Sequence, residues 1–220
     1  MYRDSETARF RQFRRHEHVA HKDDAQTAIL QIEEGWACSY CLLPDGRRQI
    51  TGLFLPGDYC EPHWLLSGKA DLPIVALTPV TAKAIPIAGV HSKPGDGVMK
   101  LLGAVLETHR RQVSWIIGLG RKTALERVGD LLMALHRRMA ALDRVVDGRC
   151  TIPLTQQDIA DVVGLTPVHV NRVLGDLRNR GLLRFSGKTL HILQPAALDR
   201  LAHDTYGAPD DAPRRTVAAA

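Results

Sequence analysis

The sequence predicts an α+β fold: an N-terminal jelly-roll β-barrel, a long dimerisation helix and a C-terminal winged helix-turn-helix domain. Three patterns predict it. Residues 27–87 run in short apolar or alternating stretches cut by turn signals. Residues 98–119 repeat apolar side chains every three or four positions. Residues 155–193 hold two helical stretches around a tight corner, then a hairpin pattern.

Bulk properties set the frame. The 220 residues suffice for two modest domains, each with a core. Hydrophobic residues make up 45% and charged residues 24%, an ordinary globular balance. No apolar run approaches the roughly 18 residues of a membrane span. The opening "MYRDSETARFRQFRRHEH" lacks the apolar core of a secretory signal, and its acids argue against a transit peptide. The expected location is cytoplasmic. Net charge is +5, unevenly spread. Residues 1–120 carry 14 Lys/Arg against 13 Asp/Glu, and residues 121–202 carry 13 against 8. The excess falls where a phosphate-facing module would need it.

From the N-terminus, residues 1–24 are polar and basic and read as a helix or loose arm. "TAILQIEEGWACSYCLL", "RQITGLFL", "PIVAL" and "TAKAIPI" follow as strands. Pro44-Asp45-Gly46, Pro56-Gly57-Asp58, Ser67-Gly68 and Thr78-Pro79 divide them, spacing that suits a small barrel. The barrel with its arm is assigned to residues 1–93. The helix and hinge take residues 94–120, the head residues 121–202 and a disordered tail residues 203–220.

Within the long helix, Met99, Leu102, Leu106, His109, Val113 and Ile116 form one stripe. Val98, Val105, Gln112 and Leu119 form an adjacent one. Two stripes allow packing on the barrel and on a second copy, so a homodimer is expected, with His109 and Gln112 pinning the register. Gly118-Leu119-Gly120 weakens the helix by about 1 kcal/mol per glycine and reads as the hinge. Leu125, Val128, Leu131, Leu132, Leu135 and Met139 mark the buried face of the next helix, and "DRVVDGRCTIPL" a loop or short strand pair.

The strongest signal is "LTQQDIADVVGLTPVHVNRVLGDLR". Thr155 is an N-cap with Asp158 as a weaker capping-box partner. Ile159, Val162 and Val163 face inward, and small Ala160 lets a second helix cross closely. Gly164 permits a left-handed corner, and Leu165 plugs its angle. Thr166 caps the next helix and Pro167 takes its first position. Val170, Val173, Leu174 and Leu177 give an inner stripe, leaving Val168, His169, Asn171, Arg172, Asp176 and Arg178 outward. The pattern is a helix-turn-helix that lays its second helix in a major groove. "GLLRFSGKTLHIL" then reads as a wing with Lys188 at its tip, placed to meet a phosphate.

These residues resemble the Crp/Fnr family of bacterial transcription regulators, and "LLPDGRRQITGLFLPGDY" is similar to that family's cyclic-nucleotide-binding-type barrel. The resemblance covers roughly residues 20–200. It implies a homodimer on double-stranded DNA, with half-sites about 34 Å apart, and RNA polymerase as a partner. It implies Arg172 as base reader, through bidentate bonds to guanine. Pro167 and Val168 stand where the best-known branch has Arg-Glu, so the consensus should differ; Val168 suits a thymine methyl. His169 and Asn171 are expected at bases or phosphates, and Thr155, Gln156 and Thr166 on the DNA-facing side.

The same resemblance places an effector pocket at Cys60, Glu61, His63, Asp71 and Leu72. The family's cyclic-AMP sites carry Gly-Glu and Arg-Ser there. Here Cys60 replaces the Gly, and Asp71-Leu72 replaces Arg-Ser. An acid where a phosphate should sit is repulsive, so cyclic AMP is not expected and the small-molecule effector stays unnamed. The family's iron–sulfur sensors carry N-terminal cysteines, which residues 1–37 lack.

Cys38 and Cys41 form a CxxC, but residues three apart on a strand point to opposite faces, so buried structural thiols are expected. His16, His18 and His21 lie in the charged arm with no motif to fix a metal. No metal site, cofactor or catalytic residue is predicted. Two other readings stay open. A cupin-like metalloenzyme with a helical tail would need clustered His and Glu on barrel strands, whereas residues 27–90 hold only His63 with Glu33, Glu34 and Glu61. An effector-independent DNA-binding protein would share the DNA face alone.

Overall fold

Residues 28–86 alternate buried and exposed side chains, and two facing antiparallel sheets result. The computed structural model describes residues 9–92 and 95–203. One sheet orders its strands β1 (Arg9–Phe13), β8 (Val80–Pro86), β3 (Ala28–Glu34) and β6 (Tyr59–Cys60). The other orders β2 (His18–Ala20), β7 (Ile74–Ala76), β4 (Ala37–Leu42) and β5 (Arg48–Phe54). Leu30, Ile32, Phe54, Ile74 and Val80 fill the space between them, together with Trp64 of the short helix α1 (Trp64–Ser67). Each such side chain contributes about 1.5–3 kcal/mol of burial.

The expected N-terminal arm is instead part of this barrel. β1 pairs with β8 over five residues, Arg9↔Ala84 through Phe13↔Val80. Only Phe13 of β1 is buried, because it is an edge strand held by backbone hydrogen bonds, and arginines suit such an edge. His18 and Val19 continue into β2. Residues 1–8 and the expected disordered tail from residue 204 lie outside the described residues, as do Lys93 and Pro94 of the anticipated turn.

After α2 (Ile87–Ser92), the helix α3 (Asp96–Arg121) runs 26 residues. Leu101 anchors it on Ile29 and Val90. The glycines at 118 and 120 do not interrupt it. The helix stops at Lys122, because Thr123 caps α4 (Ala124–Ala140) in a full capping box with Glu126. Next come β9 (Arg149–Thr151), α5 (Gln156–Val163), α6 (Pro167–Asn179), β10 (Leu183–Ser186), β11 (Thr189–Ile192) and α7 (Pro195–His203). β9 joins the wing as the third strand of a β10-β11-β9 sheet.

One buried cluster spans both ends of the chain. Leu53, Leu55 and Leu77 of the barrel belong to the same apolar core as Leu131, Leu135, Ile159 and Val162 of the helical head.

Candidate nucleic-acid interface

Local chemistry builds the corner between α5 and α6. The Thr155 side chain accepts from the Asp158 amide at 3.1 Å, and Asp158 accepts from the Thr155 amide at 2.9 Å, a complete capping box. Gly164 then turns left-handed at φ 65. A Cβ there would also come 3.2 Å from Leu119 of α3, so glycine serves both the turn and the close approach of the long helix. Thr166 accepts from the His169 amide at 3.2 Å, and Pro167 opens α6.

Val170, Val173, Leu174 and Leu177 bury the inner face of α6. The outer face is free of the protein's own core. Val168 is 82% exposed, so this apolar side chain contributes nothing to packing within the chain. Asn171 and Arg172 are exposed beside it, and His169 is half-buried. Asn171 donates to Gln156 Oε1 at 3.1 Å, and Arg172 Nη2 lies 3.0 Å from His169 Nε2. Gln156 is thus joined to the outer face of α6, and His169 steadies the arginine. Thr155 and Thr166 are exposed at the starts of their helices, where orphan amides favour an anion.

The wing closes through a two-residue turn, with Gly187 at φ 56 and Lys188 at φ 68 between the paired Ser186 and Thr189. The Lys188 carbonyl accepts from the Ile152 amide at 2.8 Å, which fixes the tip against the strand before α5. Its side chain is exposed.

The long helix exposes the predicted stripe: Met99, Leu102, Leu106, His109, Val113 and Ile116, with Val105 and Leu119 beside it. Such a line of apolar side chains on one helix is costly to leave in water.

On the barrel, Glu61, Pro62, His63 and Asp71 face Val105, Thr108, His109 and Gln112 of α3 across a cleft of about 310 Å³. His63 Nδ1 is 3.3 Å from Glu61, and its Nε2 is 2.9 Å from Asp71 without hydrogen-bond alignment. Glu61, against partial burial, holds the imidazole above its ordinary pKa. Cys60 and Leu72 are not in the cleft wall. Cys60 sits wholly inside the barrel, where burial drives its thiol pKa well up. Cys38 is also buried, with its pKa pushed up to about 12 by burial. Cys41 departs from the expected burial and is half-exposed, beyond a bulge between Ser39 and Tyr40. His18 stacks on His21 and meets the Tyr40 hydroxyl at 3.1 Å. Among the described residues no three His, Cys, Asp or Glu side chains gather as a metal site would need.

The largest surprise joins barrel to head. Arg48 of β5 reaches α5, with Nη2 2.6 Å from Asp158 and Nε 2.6 Å from Asp161. Gln49 adds a bond to the Val162 carbonyl at 3.1 Å. Burial raises the Asp158 pKa, but Thr155 and Arg48 together outweigh it and hold the carboxyl below its ordinary value. Lower down, Asp58 pairs with Arg111 of α3 at 3.2 Å and with Arg138 of α4. Nothing in the local pattern of β5 announces these partners. The one sequence signal was two acids, three residues apart, on the first helix of the corner in a basic domain.

Comparison with known proteins agrees with this architecture. Residues 10–92 match the family model for a cyclic nucleotide-binding domain, and residues 126–201 that for a Crp-like helix-turn-helix domain. The nitrogen fixation regulation protein FixK of Bradyrhizobium diazoefficiens is 34% identical over 84% of this chain and 78% of its own. The transcriptional activator protein FnrL of Cereibacter sphaeroides is 30% identical over 81% of this chain and 74% of its own. The structure of FixK2 from Bradyrhizobium japonicum superposes with a TM-score of 0.80 at 30% identity, covering 91% of this chain and 99% of that one. By name the first of these relatives is a regulator of nitrogen fixation and the second a transcriptional activator. No helix among the described residues is long and apolar enough to cross a membrane. With both family domains in order and joined by the long helix, the chain belongs to the Crp/Fnr family of transcription regulators and carries its DNA-binding helix-turn-helix head.

Proposed function

We propose that this chain acts in the cytoplasm as a homodimer that reads a near-palindromic DNA site with the helix from Pro167. The observation that carries this reading is the outer face of α6. Val168, Asn171 and Arg172 stand exposed on a helix whose other side is fully committed to the core. Arg172 reads guanine, Val168 meets a thymine methyl, and Thr155, Gln156, Thr166, His169 and Lys188 position the duplex. Two copies pair through the α3 stripe, which sets the half-sites one helical turn apart. The bound dimer recruits RNA polymerase.

The barrel cleft does not take cyclic AMP. Asp71 lines it where the family's cyclic-AMP sites carry an arginine, and a carboxylate there repels a cyclic phosphate. Selection of bound sites from random DNA, with and without cyclic AMP, tests the whole reading. A two-fold symmetric consensus that is unchanged by the nucleotide is expected. Recovery of sequences with no shared motif would overturn it.

A further inference from the structure

A second cavity, of about 100 Å³, lies at the joint where α3, α4 and α5 meet. Trp115 and Leu119 of α3, Leu135 of α4 and Val163 of α5 give it largely apolar walls. Three arginines also line it: Arg111, Arg127 and Arg138. Their charges are unequally answered. Arg111 and Arg138 share the single carboxylate of Asp58, and the Asp130 carboxylate on the wall is held by Lys122 at 2.8 Å. Arg127 donates from Nη1 to the Val163 carbonyl at 2.9 Å, and among the described residues no carboxylate pairs with it. Its Nε is shut away from solvent with no hydrogen-bond partner.

A buried guanidinium N–H without an acceptor is costly, and native structures rarely keep one unless something else meets it. What would meet it must fit an apolar cavity with surplus positive charge. A free phosphate has no apolar surface to set against Trp115 and Leu135. A neutral hydrocarbon leaves Arg127 unanswered. A monocarboxylate supplies both parts, because its two oxygens match the guanidinium fork and its body fills the apolar walls. An engineered enclosed cavity of about 150 Å³ takes benzene, so this smaller one, which opens to solvent beside the exposed Ala134, takes part of a six-carbon body and leaves the rest at its mouth.

We propose that the joint cavity binds a small aliphatic or aromatic monocarboxylate, its carboxylate on Arg127 and its hydrocarbon against Trp115 and Leu135. The site touches the long helix, the first helix of the head and the first helix of the corner. Occupancy therefore bears on how the reading head sits on the rest of the chain. The site is separate from the barrel cleft and does not depend on which bases the head reads.

Titration calorimetry on the full chain without DNA tests it, using hexanoate, benzoate and hexanol as probes. One carboxylate should bind per chain, at least about tenfold more tightly than hexanol. Arg127→Gln should abolish that preference. Ala134→Trp, at the exposed mouth of the cavity, should block both carboxylates while leaving every arginine in place. The proposal is overturned by no binding of either acid, or by carboxylate binding that survives both substitutions. Hexanol binding as tightly as hexanoate would also overturn it, by removing the role of Arg127. Hexanoate without benzoate, or the reverse, supports the site and tells an aliphatic from an aromatic ligand.

Discussion

Arg48 and Asp161 lie 113 residues apart in sequence and 2.6 Å apart in space, on a barrel strand and on the first helix of the helix-turn-helix corner. With Asp158 on the same guanidinium, the contact ties the barrel to the corner from which α6 starts. An arginine answering two acids across a domain boundary favours one orientation of the head over its alternatives.

Arg48→Met should therefore loosen the two parts of the chain. The Arg48 side chain is 26% exposed and Asp161 only 7%, so the cost falls below that of a fully buried pair, at about 2–4 kcal/mol. Denaturant unfolding of the full chain measures it. An unchanged midpoint would show that water screens the pair.

Acid should release the same latch. The folded pKa of Asp158 is depressed, so its contribution is complete above the ordinary carboxylate value of about 4 and fades as pH falls through the lower folded value. Stability should drop in that acid window more steeply for the native chain than for Asp158→Asn. Parallel pH profiles for the two proteins would assign the acid sensitivity to other groups.

Arg172→Ala should weaken binding to the selected DNA site by about 1–3 kcal/mol and relax discrimination at one base pair. Competition with single-base variants of the site reads both effects. Equal loss on specific and random duplex would make Arg172 a phosphate contact.

Ile116→Glu should turn a dimer into a monomer, since Ile116 is 68% exposed in the single chain and lies at the centre of no internal packing. Light scattering decides the matter. A dimer that persists in both Ile116→Glu and Leu102→Glu would place the seam elsewhere.

The capped corner was legible because its chemistry is local. Thr155, Gly164, Thr166 and Pro167 each act on amides a few residues away, so their spacing alone encodes the two helices. The barrel strands were legible for the same reason, through alternation and turn residues. β1 was not, because an edge strand needs backbone partners more than buried side chains, and only Phe13 carries an inward signal. The end of the long helix was legible to within a residue, since α3 stops at Arg121, next to Gly118-Leu119-Gly120, and the Thr123–Glu126 capping box starts the next helix.

What the chain determined by itself was therefore the set of elements, the corner geometry and the face of α6 turned to solvent, all governed by interactions within a few residues. Tertiary structure alone decided that Arg48 meets Asp158 and Asp161, that Asp58 gathers Arg111 and Arg138, and that Cys60 is sealed while Cys41 stays half-exposed. Charges and burial couple through space, and no periodicity along the chain records which distant side chains the fold will bring together.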